Sequence, residues 1–176
     1  MTKNAPESAD DLLNAAGPAL GKLRRSSLLD VANPISAKDL SRTLVLNIVL
    51  EAEQAGLAEQ AGRSKQAGQT DPPAEPREIT VGGIAAHLGA DPSVASRMVS
   101  DCIGAGYLVR AASQRDGRRT VLHLSEAGRE LMARFRRHQR SAFEAITADW
   151  AETERLEFVR LLLKYVASQD ALRPSR

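Results

Sequence analysis

The sequence predicts a mainly helical fold of the α+β class that contains one small β-hairpin. Two patterns carry this prediction. Between residues 80 and 107, apolar residues recur at steps of three and four, as they do on the buried side of a helix. The runs LVRAAS and TVLHLS that follow are strand-like and flank the polar sequence QRDGRR, whose Asp116 and Gly117 are typical of a turn.

The first predicted helix of this region lies in TVGGIAAHLG. Thr80 is placed to cap its N-terminus, because a threonine oxygen accepts a hydrogen bond from a free first-turn amide. Ile84, Ala85 and Leu88 then share one face of the helix. Gly89 is expected to end it, since glycine adopts the left-handed conformation at low cost.

The second predicted helix begins at Asp91 and Pro92 and lies in DPSVASRMVSDCIGAGY. A capping carboxylate suits the positive end of a helix, and proline suits the first helical position, where no amide donor is needed. The expected buried side consists of Val94 or Ala95, Met98, Val99 and Cys102.

The opposite side of this helix carries small polar residues and one cation, namely Ser93, Ser96, Arg97 and Ser100. A helix that reads DNA needs small residues for close approach to the groove and hydrogen-bond donors near its N-terminal half. The side chains present meet both needs, but an ordinary solvated helix face carries a similar set. The helix alone therefore leaves both interpretations open.

The loop between the two predicted strands favours DNA binding. Arg115, Arg118 and Arg119 lie close together at the tip of the hairpin. An exposed cationic tip suits a narrow minor groove, where the negative potential is enhanced. We expect Asp116 to pair with Arg118 and to aim its guanidinium, because an exposed ion pair adds little stability of its own. Two helices followed by such a hairpin make a winged helix-turn-helix.

This region resembles the MarR family of transcriptional regulators. The segment ITVGGIAAHLGADPSVASRMVSDCIGAGYLVR is similar to the family's helix-turn-helix, and DGRRTVLHLSEAGRELM is similar to its wing signature. In that signature an Asp and an Arg precede a Leu and a Ser or Thr, and here these are Asp116, Arg118, Leu124 and Ser125. The resemblance covers residues 80–128 well and the later helices loosely.

The resemblance implies a homodimeric regulator of double-stranded DNA, most often a repressor, that a small-molecule effector releases. It implies that the second helix faces the major groove and that Arg118 enters the minor groove with support from Asp116. The full set of expected DNA-contacting residues is Thr80, Pro92, Ser93, Ser96, Arg97, Arg115, Asp116, Arg118 and Arg119.

The rest of the chain predicts a helical frame around this core. In order, we expect an N-terminal dimerisation helix region, a helix that leads into the core, a flexible linker, the winged helix-turn-helix, two C-terminal dimerisation helices and a tail. Their bounds are 1–35, 36–61, 62–77, 78–126, 127–170 and 171–176. The linker is rich in glycine and proline, which favours an insertion without function over a partner-binding segment.

The N-terminal region predicts one kinked helix or two short ones, because Gly17 and Pro18 interrupt its apolar steps. A stronger helix follows and begins at Ser36 or Ser41. The C-terminal region predicts two long helices with a break near residues 149–153.

The last predicted helix carries an unusually wide apolar stripe. A helix that is apolar around much of its circumference must be buried on more than one side, and in a small chain a second copy supplies the other side. A homodimer is therefore expected. The stripe consists of Leu156, Phe158, Val159, Leu161, Leu162, Leu163, Tyr165 and Val166.

The charge distribution supports DNA binding. The chain carries a net charge of only +2, but residues 80–140 contain ten Lys or Arg and five Asp or Glu, which gives this stretch +5. Cationic charge is thus concentrated where phosphates would lie, and acidic flanks limit nonspecific association. Binding should weaken steeply as the salt concentration rises.

Composition excludes several other classes. With 43% hydrophobic and 26% charged residues, the chain is typical of a soluble globular protein. It has no apolar run of about 18 residues and no secretion signal, so we expect a cytoplasmic protein without a membrane partner. It also lacks a phosphate-binding glycine loop, a nucleophile elbow and a metal-ligand set, so neither an enzyme nor a cofactor is expected.

Two single residues leave alternatives open. Cys102, the sole cysteine, is expected to be a packed thiol of high pKa and slow reactivity, with a redox sensor as the alternative. His138 lies on an apolar stripe and is interpreted as a satisfied core or interface histidine rather than a metal ligand.

Two functional questions also stay open. The aromatic candidates for an effector pocket are Trp150, Phe143 and Phe135, because they lie nearest the predicted hinge between the core and the C-terminal helices. The alternative class of function is a winged helix that contacts only other proteins. Such a wing would more often expose apolar residues than three arginines.

Overall fold

A computed structural model describes residues 8–25, 35–64, 78–113 and 116–172. These residues form six helices and one antiparallel hairpin, which confirms the predicted mainly helical α+β fold. The chain divides into two compact units, residues 1–31 and 32–176. The elements are α1 (Ala9–Arg25), α2 (Ala37–Ser64), α3 (Val81–Leu88), α4 (Pro92–Gly104), β1 (Leu108–Ala112), β2 (Thr120–Leu124), α5 (Glu126–Ile146) and α6 (Glu152–Ala171).

The first unit contains α1 alone among its described residues. Ser8 caps this helix, since its Oγ accepts a hydrogen bond of 3.1 Å from the Asp11 amide. Pro18 lies inside a single helical stretch, so of the two expectations for this region the single helix is correct. Leu12 and Leu13 on α1 are exposed.

The first helix of the second unit is α2, and a serine side chain caps its N-terminus. Ser36, rather than Ser41, caps it by accepting a 3.0 Å hydrogen bond from the Asp39 amide. The helix runs to Ser64, three residues beyond the expected bound at position 61. The first three residues of the predicted linker are thus helical. Residues 65–77 lie outside the described residues.

The helix pair α3 and α4 begins and ends as the caps predict. Thr80 Oγ1 accepts a 3.2 Å hydrogen bond from the Gly83 amide. Gly89 takes the left-handed conformation with φ of 60°, which ends α3. Asp91 then caps α4, with Pro92 at its start.

The hairpin pairs β1 and β2 in antiparallel register, with Leu108 opposite Leu124. A further backbone hydrogen bond of 3.0 Å runs from the Leu122 amide to the Ile79 carbonyl, which ties the hairpin to the segment before α3. After the hairpin, Ser125 caps α5 by accepting a 3.0 Å hydrogen bond from the Gly128 amide.

One hydrophobic core joins α2, α3, α4, the hairpin and α5. Ala95, rather than Val94, is the buried member of the pair left open by the sequence, because Val94 is 45% exposed. The predicted buried residues Val99 and Cys102 lie in the core, and Met98 packs against it. The core consists of Ile35, Val45, Leu46, Val49, Ile79, Ile84, Ala85, Ala95, Val99, Cys102, Leu108, Leu122, Leu124, Leu131 and Met132.

The start of α5 packs tightly against the turn that precedes β1. A Cβ added at Gly128 would collide with the Tyr107 carbonyl oxygen and lie 3.2 Å from Leu124 Cδ2. The same carbonyl accepts a 3.0 Å hydrogen bond from the Ser125 amide, so it cannot move without loss of that bond. Only glycine therefore fits at position 128.

We expect Gly128→Ala to destabilise the protein by roughly 1–3 kcal/mol or more, because the new methyl group must displace backbone. The measurement is urea unfolding followed by circular dichroism at a fixed protein concentration. Gly104→Ala is the matched control, since an added Cβ there meets nothing within 4 Å. Unfolding of Gly128→Ala at the same urea concentration as the control would contradict close packing at position 128.

Candidate nucleic-acid interface

The polar face of α4 is exposed along its length. Ser93, Ser96, Arg97 and Ser100 are all open to solvent, whereas Ala95, Val99 and Cys102 are buried. The helix therefore presents the residues that the sequence predicts for base and phosphate contact. Its apolar side anchors it in the core.

The N-terminal end of α4 is rigidly held. Asp91 Oδ1 accepts a 2.8 Å hydrogen bond from the Ser93 amide, and Pro92 stands exposed beside it. Hydrogen bonds from the Ser93 side chain and amide lower the pKa of Asp91 below its usual value. Thr80 is half-buried as the cap of α3, and whether it also touches DNA stays a prediction.

The wing tip is a tight turn stabilised by its own backbone. The Arg119 amide donates a 2.8 Å hydrogen bond to the Asp116 carbonyl, and the Ser113 amide donates a 2.9 Å hydrogen bond to the Arg119 carbonyl. Asp116, Arg118 and Arg119 are exposed, and Arg115 lies outside the described residues. Two arginine side chains at the tip, those of Arg118 and Arg119, are therefore exposed to solvent.

The expected ion pair between Asp116 and Arg118 is wrong. Asp116 Oδ1 instead accepts a 3.0 Å hydrogen bond from the backbone amide of Arg118. An aspartate at the start of a turn commonly bonds the amide two residues on, which shapes the turn. Asp116 therefore fixes the backbone under Arg118, and within the described ranges no ion pair holds the Arg118 guanidinium.

Two charged residues of α2, which the sequence does not predict as contacts, connect this helix to α4 and to the hairpin; we call them ionic anchors. The first centres on Arg42 of α2, whose Nε and Nη2 donate to Asp101 Oδ2 and Oδ1 of α4 at 2.7 and 3.2 Å. Arg42 Nη1 also donates to Asp39 Oδ1 at 2.9 Å, and its guanidinium lies 5.6 Å from the centre of the Tyr107 ring. We call Asp39, Arg42, Asp101 and Tyr107 the Arg42 cluster.

The carboxylates of the Arg42 cluster are held ionised. Hydrogen bonding from Arg42 is the main cause that lowers the pKa of Asp101. Burial raises the pKa of Asp39, but hydrogen bonds from Ser36, Arg42 and Tyr107 outweigh it and lower the pKa overall. Any stability from these carboxylates is therefore present above the unfolded pKa, near 4, and is lost as the pH falls through the folded values.

The second anchor is Glu53 of α2. Its Oε1 accepts a 3.1 Å hydrogen bond from the Leu124 amide, and its Oε2 lies 2.7 Å from Arg129 Nη1. His123 Nδ1 of β2 lies 3.4 Å from Oε1. Glu53 thus joins the hairpin and the start of α5 to α2. No sequence signal marks either anchor, because each links residues far apart in the chain.

Cys102 is buried, as its place on α4 predicts. It is fully inaccessible, and its Sγ lies 4.0 Å from the Arg42 carbonyl oxygen. Burial is the main cause that raises the pKa of its thiol to about 11. The hypothesis that Cys102 is a redox sensor stays a prediction.

His138 differs from its prediction as a satisfied histidine. It is 5% exposed, yet neither ring nitrogen has a hydrogen-bond partner in the described part of the chain. A buried polar group without a partner costs free energy relative to a bonded one. As for metals, no group of three or more His, Cys, Asp or Glu residues that could hold an ion occurs among the described residues.

The aromatic residues near the C-terminal hinge form a small cluster. The ring of Phe158 stacks with that of Phe143 at 6.2 Å and meets that of Trp150 edge-on at 5.5 Å. Phe135 instead packs against the hydrophobic core. The cluster therefore contains two of the three residues expected near an effector, together with Phe158.

None of the described helices is long and apolar enough to span a membrane.

Comparison with known proteins agrees with this geometry. Residues 73–119 match the sequence model of the MarR family. The fold is similar to that of RV1404 from Mycobacterium tuberculosis, with 21% identity, 97% of this chain and 100% of that chain covered, and a TM-score of 0.55. A MarR family protein from Bacillus stearothermophilus is also similar, with 18% identity, 92% of each chain covered and a TM-score of 0.55.

A third similar structure is Streptococcus pneumoniae FabT in complex with DNA, with 16% identity, 93% of this chain and 96% of that chain covered, and a TM-score of 0.51. No curated protein sequence matches the chain. At these identities the structural likenesses establish the winged-helix fold. The family match covers the helix pair and the hairpin tip.

We expect Cys102 to react with a disulfide reagent such as DTNB at pH 8 roughly a hundredfold more slowly in the native protein than in denaturing urea, because burial withholds the thiolate. The measurement is the absorbance over time of the thionitrobenzoate that DTNB releases when it reacts with the thiol. Cys102→Ser controls for background reaction. A fast stoichiometric reaction of the native protein would contradict the packed-thiol interpretation and favour a sensor.

Proposed function

We propose that the protein is a cytoplasmic transcriptional repressor of the MarR family that binds a palindromic operator as a homodimer. The observation that carries this proposal is the set of exposed cations on α4 and the hairpin tip. Arg97, Arg118 and Arg119 are solvent-exposed, and none has an ion-pair partner within the described ranges. They are therefore free to contact DNA.

In this proposal α4 is the recognition helix. Ser93, Ser96 and Arg97 lie on its exposed face near its N-terminal half, where a recognition helix meets base edges in the major groove. The two serines permit close approach, and Arg97 can donate two hydrogen bonds to a guanine. Capping by Asp91 leaves the first turn of α4 ordered before it meets DNA.

The hairpin tip is the wing that enters the minor groove. Asp116 fixes the backbone below Arg118, so the guanidinium projects from a defined turn. Narrow minor grooves attract arginine through their enhanced negative potential. The net charge of +5 over residues 80–140 adds phosphate attraction across the whole surface. S. pneumoniae FabT, whose fold is similar, was solved in complex with DNA, which supports this use of the fold.

The proposed homodimer rests on α6, which has no buried residue. Leu156, Leu163 and Tyr165 are 63%, 65% and 51% exposed. Apolar surface of this extent on one helix is typical of an interface. A two-fold dimer would place two recognition helices about 34–36 Å apart, on successive turns of the duplex, and would therefore select a palindrome.

We propose that a small aromatic molecule controls DNA binding from the region of Phe143, Trp150 and Phe158. Phe143 lies in the last turn of α5, Trp150 in the connection to α6, and Phe158 in α6 itself. A ligand there would act by favouring a spacing of the two reading helices that no longer fits the operator. Calorimetry with aromatic carboxylic acids, combined with DNA release, tests this; no shift by any ligand would refute it.

We expect Arg118→Ala to weaken binding roughly tenfold to a hundredfold and to lower the slope of log affinity against log salt by about one. The probe is a duplex selected in vitro with the full-length protein, and the readout is fluorescence anisotropy at several salt concentrations. Lys22→Ala is the matched control, since Lys22 is exposed on α1 and lies outside residues 80–140. Unchanged binding by Arg118→Ala would favour a protein-contact role for the wing.

We expect Leu163→Asp to convert the dimer to a monomer of 19.0 kDa, because it places a charge in the proposed interface. Sedimentation velocity at micromolar protein concentration is the measurement. Leu57→Asp is the control, because Leu57 on α2 is equally exposed at 65% and lies outside α6. The proposed interface is wrong if both variants remain dimeric or if the unaltered chain is a monomer.

A further inference from the structure

The Arg42 cluster connects the helical frame to the recognition helix through one carboxylate. Arg42 is only 11% exposed, and it holds both oxygens of Asp101. Lys38 adds a weaker contact with Asp101 at 3.9 Å. Asp101 is thus surrounded by cations from α2, although its side chain is 45% exposed.

Asp101 needs such a partner, because of where it lies on α4. It occupies the last turn of the helix, where the macrodipole is negative and a carboxylate is disfavoured. The nearest cation on the same helix is Arg97, four residues earlier. Residues four apart lie on neighbouring positions of a helix face and readily form ion pairs.

The space around these groups allows that alternative pairing. A cavity of about 260 Å³ between α2 and α4 is lined by Arg42, Arg97 and Asp101, with Met98 and Cys102 among its apolar residues. Arg97 and Asp101 therefore border the same space. Among the described residues Arg97 has no ion-pair partner, whereas Asp101 is bonded to Arg42.

We propose that Arg42 is a positioning residue that holds Asp101 and thereby leaves Arg97 free to contact DNA. Without Arg42, Asp101 would pair with Arg97 across one turn of α4. The guanidinium of Arg97 would then be neutralised and turned away from the groove. This inference rests on the proposed DNA-binding function, but it assigns a role to residues that touch no DNA themselves.

The alternative role for Arg42 is purely structural, as a tie between α2 and α4. The two roles differ in what removal of the Asp101 charge should do. If Arg42 only ties the helices together, Asp101→Asn breaks the tie and weakens DNA binding. If Arg42 keeps Asp101 away from Arg97, Asp101→Asn is harmless, because asparagine carries no charge that could neutralise Arg97.

The test measures DNA affinity and its salt slope for Arg42→Gln, Asp101→Asn and the double variant on one selected duplex. We expect Arg42→Gln to weaken binding roughly twofold and to lower the salt slope by less than one, because an exposed ion pair between residues four apart on a helix is weak and withholds Arg97 only part of the time. Asp101→Asn should bind at least as tightly as the unaltered chain. The double variant should recover both the affinity and the salt slope.

Circular dichroism and urea unfolding of each variant show whether it folds. If Arg42→Gln does not fold, Arg42→Lys replaces it, with a smaller loss that Asp101→Asn should again reverse. Failure of Asp101→Asn to restore binding, or weak binding by Asp101→Asn alone, would overturn the inference while leaving the DNA-binding function intact. Absence of DNA binding by the unaltered chain would instead refute the proposed function itself.

Discussion

Burial of one face of α4 in the shared core is the interaction on which the exposed face of the same helix depends. Ala95, Val99 and Cys102 of α4 lie in the same cluster as Val45 and Val49 of α2. Full burial of one such aliphatic side chain contributes about 1.5–3 kcal/mol, more than a typical exposed ion pair. The core therefore holds the helix, and the polar contacts at its edges set where individual side chains point.

Different contacts hold the hairpin, α4 and α6. Glu53 and the Ile79 carbonyl fix the hairpin against the helical core, and Asp116 shapes its tip. The Arg42 cluster ties α4 to α2, and in our proposal it keeps Asp101 from pairing with Arg97. By contrast, α6 has no buried residue, so its apolar side chains are available to a second copy of the chain.

Much of this fold could be predicted from local signals. Thr80, Gly89 and Asp91 specify helix ends through the chemistry of their own side chains or backbone, so the structure confirms these caps. The long-range contacts could not be predicted, because Arg42 and Asp101 each look like ordinary surface charges until the helices pack. The predicted ion pair between Asp116 and Arg118 was wrong for a similar reason. The sequence offers Asp116 both the guanidinium and the backbone amide of Arg118 as partners, and only the geometry of the turn decides which one it binds.

The most direct test of the account is methylation interference on a selected duplex bound by the full-length protein. Methyl groups on guanine N7 report the major groove, and those on adenine N3 report the minor groove. We expect two patches of major-groove interference one helical turn apart, flanked by minor-groove interference that Arg118→Ala abolishes. Interference without this two-fold pattern, or none in the minor groove, would contradict this expectation.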